Sequence, residues 1–239
     1  MDQNEQFEAA RQSEADYHQQ FYEDNEIFEE GTWMAEPGPV VMEMLERLLL
    51  HKDELQVLDL GCGVGRNTIP VAERLKGTLS RVKGVDLLDD AVEMLRNNAK
   101  EFGVEHLVEA EAADVENYPI PEDAYDFIIA CSCLEHTSSK EAVEQELDTM
   151  KAGTKMGGIH CITMSTDVEE FDRDTGDSTP GLIELNQKSE EALAMLDRKY
   201  EDWKVLIKNT DAQSIEEVKD ERNIDFRCNL ITYVAQKIQ

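Results

Sequence analysis

Basic side chains are scarce in this chain. Lysine and arginine number 23 against 53 aspartates and glutamates in 239 residues, for a formal charge of −30. A surface that tracks phosphates needs a basic stripe to displace counterions, and no stretch here gathers Lys and Arg without more acid around it. Nucleic acid and anionic membrane surfaces are therefore not expected partners. A run of the ~18 apolar residues that a membrane span requires is also missing. The opening MDQNEQFEAARQSEAD lacks the apolar core of a secretion signal. Cysteines are few and odd in number: Cys62, Cys131, Cys133, Cys161 and Cys228 lie in or beside apolar segments, which suits reduced thiols better than a disulfide framework. The expected compartment is the cytoplasm. No internal repeat or low-complexity tract is visible. With 41% hydrophobic residues a real core is available, so the acids are read as surface decoration. A salt-adapted host and a basic protein partner would both account for them.

Residues 2–30 carry Phe7, Ala10, Tyr17, Phe21 and Phe28 at mostly three- and four-residue steps, an amphipathic helical pattern. Gly31, Pro37, Gly38 and Pro39 then punctuate the chain, so 1–39 reads as a helical extension or lid and 40–239 as the main domain. Helix is expected over 40–50, 68–75, 89–102 and 140–150. Strand is expected over 55–60, 81–86, 107–112, 125–131 and 158–164. This alternation predicts an α/β fold with a doubly wound, mostly parallel sheet and right-handed crossovers. Residues 166–187 are polar, with Asp172, Asp174, Gly176, Pro180 and Gly181, and read as a long loop. A helix over 189–200 and strands over 203–209 and 225–235, paired antiparallel, complete the chain.

At the end of the first strand stands Asp59-Leu60-Gly61-Cys62-Gly63-Val64-Gly65, where an open α/β sheet places its ligand. A dinucleotide fingerprint G-x-G-x-x-G counted from Gly61 and Gly63 would need glycine at Arg66, so NAD is disfavoured. The spacing D-x-G-x-G-x-G resembles instead the first motif of the class I S-adenosylmethionine-dependent methyltransferases, a family with a Rossmann-like sheet and an antiparallel last strand. The pattern continues over roughly 55–165. Asp86 closes the second strand before Leu87, Asp114-Val115 follows the third, and Cys131 begins Cys131-Ser132-Cys133-Leu134-Glu135-His136 after the fourth.

The resemblance implies S-adenosylmethionine as cofactor, held by Asp59, Gly61, Cys62, Gly63, Gly65 and Asn67 in the glycine turn. It further implies Asp86 and Leu87 at the ribose, Asp114 and Val115 at the adenine, Cys131 lining the cleft, and Trp33 with Glu36 at the methionine end. Taken singly, Asp86 could be a strand terminator or helix cap and Asp114 a turn residue. Gly65-Arg66-Asn67 is similar to the tellurite-resistance methyltransferases, but the acidic 215–221 stretch argues against carrying over an oxyanion substrate.

The function this implies is methyl transfer to a small-molecule acceptor, by a monomer or homodimer, as a single in-line displacement that needs alignment and dryness more than a triad. A soft anionic acceptor needs no base; an amine or hydroxyl would, and His136 and Tyr17 are the candidates, with structural roles as the alternative. Tyr17, His18, Phe21 and Tyr22 of the extension are expected across the cleft. Cys131, Cys133 and His136 lack metal-ligand spacing, so no metal is expected. The competing reading is a non-catalytic cofactor-binding module serving a protein partner.

Overall fold

The structure is a computed structural model that describes residues 3–181, 183–219 and 222–238. Its strands are β1 (Gln56–Leu60), β2 (Arg81–Asp86), β3 (Val108–Ala112), β4 (Tyr125–Cys131), β5 (Thr154–Asp172), β6 (Ser178–Pro180), β7 (Lys204–Lys219) and β8 (Arg222–Gln236). The helices are α1 (Gln3–Asp24), α2 (Pro39–Leu49), α3 (Thr68–Arg74), α4 (Asp89–Glu101), α5 (Lys140–Gly153) and α6 (Ser189–Lys199). One sheet runs in the order β3-β2-β1-β4-β5-β8-β7, with β6 off this path against β5. Strands β1 to β5 pair in parallel, and β8 runs antiparallel to both β5 and β7.

Side chains alternate across each strand, so a strand buried on both faces feeds two cores. Val57, Phe127, Ile129, Ile159 and Cys161 join the core beneath α2, α3 and α4, with Leu45, Ile69 and Leu95. Their neighbours Leu58, Leu60, Ile128, Ala130 and Ile162 face the opposite core, with Leu147, Met150, Leu196 and Tyr200 from α5 and α6. Within the second layer, His160 is fully buried on β5 between Thr154 and Tyr200. The Thr154 hydroxyl donates to the Met150 carbonyl at 2.7 Å, so it accepts from His160 Nε2–H at 2.6 Å. The Tyr200 hydroxyl is left to donate to Nδ1, also at 2.6 Å. Burial pushes the ring down to about 3, so it is a neutral structural histidine.

The stretch 166–187 is not the long loop that its composition suggests. Strand β5 continues to Asp172 and folds back through β6, because Glu169, Glu170 and Phe171 are paired on both sides, by β6 and by β8. Likewise β7 reaches ten residues past its expected end at Asn209, whereas β8 lies close to its expected bounds, and the two pair from Lys204↔Gln236 to Lys219↔Arg222. The acidic stretch around Glu216 is thus strand rather than a free solvated segment. At the other end of the chain, Tyr22 and Met34 are buried in a cluster with Val64 and Ala91, which seats the extension on the main domain.

Candidate functional site

The carboxyl ends of β1, β2, β3 and β4 converge on one cleft. Beyond β1 the chain turns at Gly61 (φ +67°), where a Cβ would lie 2.5 Å from the Cys133 Cβ, and at Gly63 (φ +50°), where it would meet the Tyr22 hydroxyl at 2.6 Å. Only glycine combines a left-handed backbone with such close approach. The turn is fastened to β2, since the Val85 carbonyl accepts from the amides of Gly61 at 2.8 Å and Cys62 at 3.0 Å. Asp59 is buried below it and accepts from the Thr68 hydroxyl at 2.6 Å; burial lifts its carboxyl to about 7.

Asp86 accepts from the Gly63 amide at 2.7 Å through one oxygen and from the Leu88 amide at 3.0 Å through the other. Each oxygen keeps a lone pair for a further donor. Asp114 caps the 3-10 turn Val115–Asn117 by accepting from the Glu116 amide at 3.1 Å, and its other oxygen meets Arg11 of α1 at 2.9 Å. Leu87 is 44% exposed at the rim, and Val115 is buried. Cys131 packs at the end of β4 beside Cys161. Asn67 turns the other way, accepting from the Gly38 amide at 2.9 Å before α2. Trp33 stacks on Phe21 with centroids 5.1 Å apart, beneath the Arg66 guanidinium, and the Glu36 carbonyl accepts from Arg66 Nε at 2.7 Å.

Helix α1 lies across this cleft. Its residues Arg11, His18 and Tyr22 touch the Asp114 carboxylate, the His136 ring and the Gly63 turn respectively. A pocket of about 250 Å³ remains between α1 and the start of α4, lined by Tyr22, Glu23, Leu88, Asp90, Ala91 and Met94.

The two candidate bases do not suit that role in this arrangement. The Tyr17 hydroxyl donates to Glu217 of β7 at 3.1 Å, and burial followed by that carboxylate pushes its ionisation far up, so it remains a neutral donor. Burial alone would lower His136, but its Nδ1 is 2.8 Å from the Glu184 carboxylate, which overrides burial and lifts it to about 9. At neutral pH His136 is an imidazolium. Cys133 and Leu134 are buried at the foot of the same turn (Leu134–His136), with Cys133 packed on Gly61 rather than grouped with Cys131 and His136 as ligands.

Sequence reasoning missed Arg11, Glu14 and Glu184. Arg11 and Glu14 share with Phe7, His18 and Tyr22 the 4-3-4-4 spacing of one helical stripe, a signal hidden because the stripe is polar. Glu184 is placed by tertiary contact alone: the Leu185 amide donates to the Glu135 carbonyl at 3.0 Å, pinning the strand-to-helix segment against the turn.

Comparison with known proteins agrees with this geometry. Residues 57–158 match the family model described as a methyltransferase domain. The methyltransferase GfsG of Streptomyces halstedii is 31% identical over 114 residues, 48% of this chain and 40% of that protein. Ajmaline N-methyltransferase of Rauvolfia serpentina is 28% identical over 97 residues, 41% of this chain and 32% of that protein. The chain thus spans well under half the length of these curated relatives. Among solved structures, TehB from Haemophilus influenzae superposes with a TM-score of 0.64 at 22% identity, covering 87% of this chain and 64% of that one. Residues 57–158 are therefore identified as a methyltransferase domain on a Rossmann-like sheet, a family and fold that imply S-adenosylmethionine as cofactor.

Proposed function

We propose that the protein transfers the methyl group of S-adenosylmethionine to a small-molecule acceptor. The observation that carries this reading is the Asp86 carboxylate, which is pinned by the Gly63 and Leu88 amides and still offers a lone pair on each oxygen. Paired ribose hydroxyls are donors of the kind that such a pinned carboxylate takes. The residues present fit the cofactor: the Gly61 and Gly63 turn leaves no room for side chains, and Asp86 and Asp114 follow at the next strand ends.

When bound, S-adenosylmethionine supplies an electrophilic methyl group. The protein's tasks are then positional. Asp86 and Asp114 orient the nucleoside part, the glycine turn lets the backbone approach closely, and α1 with Trp33 shuts out water. A lid of bulky side chains over the cleft supports an acceptor of small size. His136 is charged and Tyr17 is neutral, which favours an acceptor that arrives as its own nucleophile over one deprotonated by either residue.

The test is calorimetry with S-adenosylmethionine, followed by a panel of thiol, amine and hydroxyl acceptors read by S-adenosylhomocysteine release. Binding with turnover of at least one acceptor supports the reading. Binding without any turnover favours a non-catalytic module, and no binding at all overturns both.

A further inference from the structure

Three groups with metal-binding chemistry meet where α1 crosses the 3-10 turn after β4. One ligand atom from each of Glu14, His18 and His136 lies within 4.8 Å of the other two. Glu14 and His18 are four residues apart on α1 and so project from one face of the helix, while His136 comes from the opposite wall of the cleft. The His18 and His136 rings meet edge to face with centroids 6.4 Å apart.

We propose that Glu14, His18 and His136 form a binding site for a divalent transition-metal ion. Two imidazoles and one carboxylate suit zinc, manganese, iron, cobalt or nickel, whereas magnesium and calcium prefer all-oxygen sets. In a tetrahedral site with ligands at about 2.0–2.2 Å, neighbouring donors stand about 3.4 Å apart; these three atoms already lie within 4.8 Å of one another, so each pair closes by at most about 1.4 Å, a matter of side-chain rotation. The supporting shell is already in place. His136 Nδ1 is 2.8 Å from Glu184, whose side chain is only 3% exposed. This leaves Nε2 to face an ion, which displaces the Nε2 proton of the otherwise charged ring on binding, and the carboxylate fixes the ring as it fixes a metal-bound histidine. Glu184 is itself held by the contact of Leu185 with the Glu135 carbonyl, so the ring is oriented from behind by a fixed segment.

The location gives the ion a role. His18 stacks on Tyr22, whose hydroxyl lies against Gly63, and His136 follows Cys133, which packs on Gly61. The ion therefore sits beside the donor cleft and ties the lid to the wall. Three protein ligands leave coordination positions open, where a hydroxyl or thiol acceptor would bind and lose its proton more readily. That role rests on the methyltransferase reading, but binding of the ion does not.

The experiment titrates tag-free, metal-stripped full-length protein with cobalt(II) in the absence of S-adenosylmethionine, followed by visible absorption, with zinc(II) calorimetry in parallel. The expected result is one ion per chain, without the near-ultraviolet absorption of a thiolate-bound cobalt. Affinity should fall at least ~100-fold in His18→Asn and in His136→Asn. In Glu184→Gln, which keeps all three ligands, the fall should be about 10–100-fold. Circular dichroism of each variant verifies its fold, and His18→Ala replaces His18→Asn if that variant unfolds. No cobalt spectrum, a thiolate spectrum, or an affinity unchanged by loss of His18 overturns the site. Because no donor is present in these titrations, such a failure leaves the methyltransferase reading standing. Conversely, loss of S-adenosylmethionine binding would not touch the metal result.

Discussion

The Arg11 guanidinium pairs with the Asp114 carboxylate at 2.9 Å, joining the N-terminal helix to the end of the third strand across 103 residues. In this arrangement the lid occupies an acid assigned to the cofactor's adenine. The ion pair is partly exposed, with side chains 24% and 27% accessible, so its worth is modest. Removing it in Arg11→Ala frees Asp114, and affinity for S-adenosylmethionine should rise about two- to fivefold, the equivalent of roughly 0.5–1 kcal/mol. Calorimetry at two salt concentrations checks this, and a loss of affinity would mean that α1 assists binding instead.

Asp86 stands differently, because its partners are backbone amides of the site itself. Asp86→Ala removes both the proposed ribose contact and the clasp on the Gly63 turn. Hydrogen bonds to a charged group are worth about 1.5–3 kcal/mol, so affinity should drop roughly 10- to 100-fold. An unchanged dissociation constant would remove Asp86 from the cofactor site.

The buried Asp59 links the site to pH. Its carboxyl is raised from 3.8 to about 7, chiefly by burial. Between those values the folded chain holds a proton that the unfolded chain has released, so this group's contribution to stability is present at low pH and fades as pH rises through the window. Asp59→Asn keeps an acceptor for Thr68 and cannot titrate. Urea midpoints at pH 5 and pH 7.5 should differ less in the variant than in the parent; an equal difference in both proteins would count against a raised Asp59.

A fourth prediction concerns the core. Tyr200→Phe keeps the ring but removes the hydroxyl that donates to His160 Nδ1 at 2.6 Å. A buried acceptor then loses its partner, at a cost of about 1–3 kcal/mol in urea unfolding. Cofactor binding should be unaffected, since this network lies in the layer formed by α5 and α6.

Much of the central sheet was legible because its strands are short apolar runs separated by amphipathic helices. The glycine turn, Asp86 and Asp114 were legible because their spacing follows the strand ends. The distal parts of β5 and β7 were not. Residues such as Asp211, Gln213, Ser214 and Glu216 have no strand preference of their own, and their conformation comes from pairing with β8. The inward face of α1 was hidden for a related reason. Arg11, Glu14 and His18 face the cleft through polar contacts, while the sequence invites a search for an apolar stripe.

Strand β7 ends the sheet, with β8 on one side and, among the described residues, no strand on the other. Of its sixteen residues roughly every second one turns its backbone N–H and C=O away from β8 along that border, the kind of template on which chains stack into aggregates. Here the strand carries Lys204, Lys208 and Lys219 as well as Asp211, Glu216 and Glu217, and so is neutral in itself on a molecule of charge −30. A second copy approaching edge to edge therefore meets repulsion from the net charge of the whole molecule rather than from the strand itself.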